Sequence, residues 1–205
     1  MNPSSRRLRR SVLPVRDSRD TVGTATVIAP GFALTALHVI IMGNPRALTV
    51  GYHPRLPVSG VRTLALTEYT GVHEHARRSQ QRAQRMVWND TDHALATVDL
   101  ALLELRGLHN PPLRPRPTPV HTGEHLVVAG YPGGHWSINK GPVTGTDDAD
   151  FALRMLLGPG ASGAPAIDHS NQLAGIVTLD HELATICIGP RLLATFLHQL
   201  HAVPS

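Results

Sequence analysis

Cysteine is nearly absent: the 205 residues include one, Cys187. That excludes an intrachain disulfide framework and any zinc site built from several cysteines. Aromatic residues are scarce at 4%, too few for the stacking platforms on which single-stranded nucleic acid binds. No apolar run approaches the roughly 20 residues of a membrane-spanning helix. The 18 glycines and 17 prolines follow no period, which excludes a collagen-like chain. What remains is a chain that is 41% hydrophobic. That is enough for a real core, in one domain or two small joined ones.

The net charge is modest at +4. Basic residues cluster at Arg6, Arg7, Arg9 and Arg10, and again at Arg77, Arg78, Arg82 and Arg85. Nucleic acid or an acidic surface is a possible partner for such clusters. Neither carries interleaved aromatics, so both read as solvated faces, and no nucleic-acid role is expected. Ser5-Arg6-Arg7 has the look of a twin-arginine export signal, but the apolar stretch such a signal needs does not follow. With the single cysteine, the expected compartment is the cytoplasm, away from membranes.

Residues 1–19 are polar and basic and read as a flexible lead-in. From Thr21 the chain alternates β-branched residues up to a Pro30-Gly31 turn, and Phe32-Ala33-Leu34-Thr35 reads as the returning strand. Further strand candidates lie at 47–52, 61–66, 95–105, 126–129 and 174–178. Short strands punctuated by Gly and Pro argue an all-β sandwich or barrel. Residues 74–86 favour a helix but lack an apolar face, and read as an insertion. Residues 191–200 carry apolar residues at helical spacing. The proline-rich stretch 109–119 is the linker between two strand-rich halves. The expected organisation is a basic segment 1–19, a β-module 20–108, the linker 109–119, a second β-module 120–190, and a helix with tail over 191–205.

Three local patterns carry chemistry. Leu34-Thr35-Ala36-Leu37-His38-Val39 places a histidine just past a hairpin. Asp99-Leu100-Ala101-Leu102-Leu103 sets an acid at the mouth of an apolar strand. Gly158-Pro159-Gly160-Ala161-Ser162-Gly163-Ala164-Pro165 puts a serine in a glycine-rich loop. Each alone is weak. Together they run His, Asp, Ser, which is the chain order of the chymotrypsin-type triad and not that of other serine hydrolase folds.

These segments resemble the three active-site motifs of the trypsin-like serine proteases, over roughly residues 21–200. Val127-Val128-Ala129-Gly130-Tyr131-Pro132-Gly133-Gly134 and Gly141-Pro142-Val143-Thr144-Gly145 resemble the bacterial Deg-type branch more than digestive enzymes. So does Ile186-Cys187-Ile188-Gly189-Pro190. The resemblance implies an all-β fold of two six-stranded antiparallel β-barrels, chymotrypsin-like, with a C-terminal helix. It implies a serine endopeptidase that needs no cofactor or metal and acts on a protein or peptide. In that reading Ser162 is the nucleophile, His38 its base and Asp99 the group that holds the base. The backbone amides of Gly160 and Ser162 form the oxyanion hole, a device typically worth ~3–4 kcal/mol.

The departures are informative. Ala161 stands where the zymogen branch has an acid that pairs with a newly cut N-terminal amine, so activation by that cleavage is not expected. Ala164 replaces a glycine, and Val39 replaces a half-cystine. The substrate pocket is expected around Leu156, Ala184, Thr185 and Ile186. An apolar residue at 156, where trypsin-like cutters carry an acid, predicts a small or apolar residue before the cut. Lacking a zymogen switch, such an enzyme calls for control by a partner or by its active-site loop, with 74–86 and the arginine-rich start as contact candidates. No PDZ module is expected after Ser205.

Other chemistries fit less well. His73-Glu74-His75 and the histidines of 121–125 do not make the His-Glu-x-x-His metal pattern. An α/β-hydrolase wants glycine at 164 and a helix after the serine. Cys187, between Ile186 and Ile188, reads as a buried small residue. The alternative from a different class is a protease-like fold used as a non-catalytic binding module.

Overall fold

The computed structural model describes residues 3–17, 20–42, 47–52, 55–63, 98–147, 149–181 and 183–199. The polar segment 74–86, the second arginine cluster and His73-Glu74-His75 lie outside the described residues. So do parts of the strand candidates 61–66 and 95–105, and residues 200–205.

The first half forms a seven-stranded antiparallel sheet. Its strands are β1 (Val12–Arg16), β2 (Thr21–Ala29), β3 (Phe32–Thr35), β4 (Thr49–Val50), β5 (Leu56–Pro57), β6 (Gly60–Arg62) and β7 (Ala101–Glu104), in the order β5-β4-β1-β2-β3-β7-β6. Among the described residues this sheet is a half-barrel. The second half is a closed barrel of six strands: β8 (His125–Gly130), β9 (Ser137–Thr146), β10 (Asp150–Leu153), β11 (Pro165–Ile167), β12 (Leu173–His181) and β13 (Ala184–Ile188). Its closing order is β10-β13-β12-β11-β8-β9. The fold is the chymotrypsin-like double barrel, mostly β, with a short C-terminal helix. No described helix is long and apolar enough to cross a membrane.

The start of the chain corrects the expectation of a flexible lead-in. Residues Pro3–Ser11 form helix α1, and Val12–Arg16 is a barrel strand paired with β2 on one side and β4 on the other. Val12 and Val15 are fully buried, Val12 in the core between the halves and Val15 in the core of the first sheet. Four arginines and Pro14 hide this strand in the sequence. Val12 and Val15, an odd number of positions apart, nevertheless face opposite cores, as the two-residue period of a strand requires.

The same period explains the strongly apolar run at β7. Ala101, Leu103 and Leu105 pack in the first sheet's own core, while Leu100 and Leu102 pack in the core between the halves. Strand β2 follows the same rule with different chemistry. Ala25 and Val27 face the first core, whereas Thr24 and Thr26 occupy the other face and are fully buried. Buried hydroxyls need partners, and these find them in the second barrel.

Helix α2 (Leu37–Met42) follows β3 directly. Helix α3 (Pro190–Gln199) opens on a proline, the residue best suited to a first helical position. It buries Leu192, Leu193, Phe196 and Leu197 in the core between the halves. The proline-rich linker crosses as an extended strap. Leu113 is buried, and Arg114 and Arg116 bond the backbone of Leu173. The buried Arg116 guanidinium is held by Glu124 at 2.5 Å and by the Pro119 carbonyl at 2.8 Å.

Removing residues 1–16 takes Leu8, Val12 and Val15 from the core and unpairs an edge each of β2 and β4. The truncated chain is expected to lose its cooperative thermal transition and its soluble yield. A truncated chain melting where the full chain does contradicts this account of β1.

Candidate active site

His38 lies in the first turn of α2, just past the end of β3. Strand β3 pairs with β7 so that Thr35 faces Ala101. That antiparallel register sets the chain leaving β3 beside the chain entering β7, where Asp99 stands. The Asp99 carboxylate accepts the main-chain N–H of His38 at 3.0 Å, and its two oxygens lie 3.1 and 2.9 Å from His38 Nδ1. A carboxylate only accepts, so Nδ1 carries the hydrogen and the neutral ring keeps a lone pair on Nε2. Asp99 is 6% exposed. Burial by itself lowers the His38 pKa, but the Asp99 charge and hydrogen bond outweigh it and leave the pKa above the ordinary 6.5.

Ser162 lies in the loop between β10 and β11. Its half-buried hydroxyl donates to the Thr178 carbonyl of β12 at 3.2 Å. Among the described residues no hydrogen bond joins it to His38, so the structure joins His38 with Asp99 and leaves Ser162 on a different acceptor.

The loop itself is tied down almost atom by atom. Asp180 Oδ2 accepts the N–H groups of Leu157 and Gly158 at 3.0 and 2.7 Å. The Pro159 carbonyl accepts Gly133 N–H at 2.8 Å. Gly133 belongs to a 3-10 turn, Pro132–Gly134, just past β8. The Gly160 carbonyl accepts the Thr24 hydroxyl at 2.8 Å, and the Gly163 carbonyl accepts the Thr26 hydroxyl at 2.9 Å. Thr24 N–H reaches the Ser162 carbonyl at 2.9 Å. Among the described residues, the N–H groups of Gly160 and Ser162 have no acceptor. A trans peptide points its N–H opposite its carbonyl. With the Pro159 carbonyl held by Gly133, the Gly160 N–H is turned away from that bond.

Two glycines make this path possible. Gly160 has φ +92°, and a Cβ there would meet the Tyr131 carbonyl at 2.5 Å. Gly163 has φ +88°, and a Cβ there would overlap the Thr24 carbonyl and the Thr35 hydroxyl. The two alanines are accommodated. Ala161 is buried in the second barrel's core. Ala164 is also fully buried there and lies beside Gly130, where an added Cβ would come within 2.9 Å of its methyl.

The residues expected to line the substrate pocket divide. Leu156 is 56% exposed, and Ala184 and Ile186 are partly buried. Thr185 is fully buried, its hydroxyl shared between Asp180 Oδ1 at 2.6 Å and the Met155 carbonyl at 2.9 Å. Asp180 was missed in the sequence. Its signal was the lone acid of the largely apolar strand Leu173–His181, shortly after the serine loop. The threonines 24 and 26 were read as strand formers only.

Known proteins share this architecture. The family model for the trypsin-like peptidase domain matches residues 23–176. No curated protein matches the chain. The active form of the Rv3671c protease from M. tuberculosis superposes with TM-score 0.68 at 22% identity, covering 99% of this chain and 86% of that one. A Glu endopeptidase gives 0.69 at 16% identity, covering 95% and 91%. Human heparin binding protein gives 0.67 at 15%, covering 97% and 94%. At these identities the structural likeness is one of fold.

The raised His38 pKa has a definite sign. An imidazole acting as base must be neutral, so reactivity at Ser162 is expected to rise with pH through a midpoint above 6.5. The same shift gives stability that is full below 6.5 and lost as pH rises through the folded-state value. Asp99→Asn removes both raising causes. The midpoint is expected to fall and the maximal rate to drop by about 10³–10⁴-fold. A pH profile of inactivation by a serine-directed reagent checks this, and an unchanged midpoint in Asp99→Asn contradicts it.

Proposed function

Because the chain belongs to the trypsin-like peptidase family, and so is a serine endopeptidase, we propose that it cuts peptide bonds through His38, Asp99 and Ser162 by way of an acyl-enzyme. The observation that carries this reading is the doubly bonded His38–Asp99 pair, which leaves Nε2 as the free base. A serine hydroxyl is a poor nucleophile until a base takes its proton. Ser162 Oγ attacks the substrate carbonyl carbon as Nε2 removes its hydrogen, and Asp99 stabilises the imidazolium that forms. The carbonyl oxygen becomes an oxyanion, received by the N–H groups of Gly160 and Ser162. The unoccupied donors at these two positions support that role. Collapse breaks the C–N bond, and the imidazolium gives its proton to the departing amine. Water then repeats the sequence on the ester, releasing the acid and restoring Ser162.

Activation without N-terminal cleavage belongs to the same reading. It is supported by Ala161, whose methyl lies in apolar surroundings where an acid latch would otherwise stand. It is supported too by β1, since the chain before Arg16 is part of the first sheet. The lone, buried Cys187 supports a cytosolic setting.

The substrate is a protein or peptide, and the residue before the cut is small or apolar. Support comes from Leu156, where a basic preference wants an acid, and from Asp180, whose two oxygens are already taken by three internal donors. A positional peptide library is expected to show this preference, and strict cleavage after Arg or Lys contradicts it.

A fluorophosphonate probe followed by intact mass tests the mechanism. Wild type is expected to gain one adduct, and Ser162→Ala and His38→Ala none. A folded wild type that takes no adduct overturns the catalytic reading in favour of a non-catalytic binding module.

A further inference from the structure

The reading above assigns Gly160 N–H to the oxyanion hole but leaves open what aims it. Glycine at φ +92° has no side chain to bias its backbone, and both adjoining peptides can rotate at little intrinsic cost. A conformation of that kind persists only where neighbours over-determine it. The peptide before Gly160 is held by Gly133 N–H on the Pro159 carbonyl at 2.8 Å. The peptide after it is held on its carbonyl side by the Thr24 hydroxyl, 2.8 Å from the Gly160 carbonyl, and on its other side by the longer bond from Ala161 N–H to the Gly158 carbonyl at 3.3 Å.

We propose that Thr24 is a positioning residue for the oxyanion hole: its buried hydroxyl joins the Gly160 carbonyl to the turn that orients Gly160 N–H. The proposal rests on the assignment of Gly160 as an oxyanion donor. The hydroxyl accepts Tyr131 N–H at 3.1 Å while it donates to Gly160. Tyr131 directly precedes the Pro132–Gly134 turn, and its carbonyl accepts Gly134 N–H at 2.9 Å. One oxygen therefore ties Gly160 to the segment that also supplies Gly133 N–H. The hydroxyl is itself fixed in place. Thr24 N–H is bonded to the Ser162 carbonyl at 2.9 Å, and its own carbonyl accepts the Thr35 hydroxyl at 2.7 Å. Thr24 is fully buried, so water cannot replace the bond when the hydroxyl is lost.

Thr24→Val keeps the shape and removes the hydroxyl. Thr24→Ser keeps the hydroxyl. Val27→Ala, on the opposite face of β2 in the first core, serves as a control for general destabilisation. With the full chain and a peptide ester substrate, Thr24→Val is expected to lower kcat by roughly 10–100-fold with KM within about twofold. That is the split expected when a transition-state contact is weakened. Thr24→Ser should restore kcat to within about threefold, and Val27→Ala should lower the melting temperature while leaving kcat within about threefold of wild type. A kcat loss in Thr24→Val no larger than in Val27→Ala assigns Thr24 a structural role and overturns the proposal.

Amide NMR keeps the test separate from the catalytic reading. Thr24→Val is expected to speed exchange at Tyr131 N–H and to shift and broaden Gly160 N–H, whether or not the wild type takes a fluorophosphonate adduct. An unchanged Gly160 signal overturns the proposal. An altered Gly160 signal in a protein without any serine reactivity upholds the positioning and removes only the catalytic assignment. If Thr24→Val does not fold, Thr24→Ala carries both measurements.

Discussion

A glycine-rich loop cannot hold its own shape, and the carbonyls of the Ser162 loop are the constraint on which this site depends. Buried carbonyls must be paired, because one left without a donor costs about 1–3 kcal/mol. The loop has little regular structure with which to pair them. The first half of the chain supplies the donors from β2: Thr24 N–H, the Thr24 hydroxyl and the Thr26 hydroxyl. The two halves are thereby joined by polar bonds at the Ser162 loop as well as by a shared apolar core. This gives a reason for threonine on the inner face of β2. A fully apolar face would leave the Gly160 and Gly163 carbonyls without these hydroxyl donors.

The other end of the loop is tied by a carboxylate. Asp180 takes two backbone N–H groups and shares a third hydrogen with Thr185. Charge-assisted bonds of this kind are among the stronger ones a protein makes. In the zymogen branch, a carboxylate next to the nucleophile is paired with a new N-terminal amine. Here Ala161 is buried in the second barrel's core, and Val12–Arg16 is a strand of the first sheet. The carboxylate that holds the loop lies on β12 instead.

The His38–Asp99 pair that the structure brings together, and the Ser162 proposed to act with it, were legible as candidates because they sit in short, chemically distinctive strings whose order along the chain is informative. His38, Asp99 and Ser162 needed only pattern and order to be singled out. The C-terminal helix and the Pro30-Gly31 hairpin were legible for similar local reasons. Strand β1 was not, since its arginine-rich flank and Pro14 outweigh a two-residue period only five residues long. Strand β9 (Ser137–Thr146) was hidden because half of it is polar and solvent-facing, with burial set by barrel closure. Asp180 and Thr24 were illegible as functional residues because their roles are defined by atoms more than twenty residues away in sequence.

The central claim is that an uncleaved chain holds a working acyl-transfer site. Mixing the intact protein with a chromogenic ester and following product and protein mass together tests it directly. The account predicts a burst of one product per chain, with the acyl group on Ser162 and the N-terminus intact. A folded chain that shows no burst, carries the acyl group elsewhere, or acquires it only after losing its N-terminal residues would contradict it.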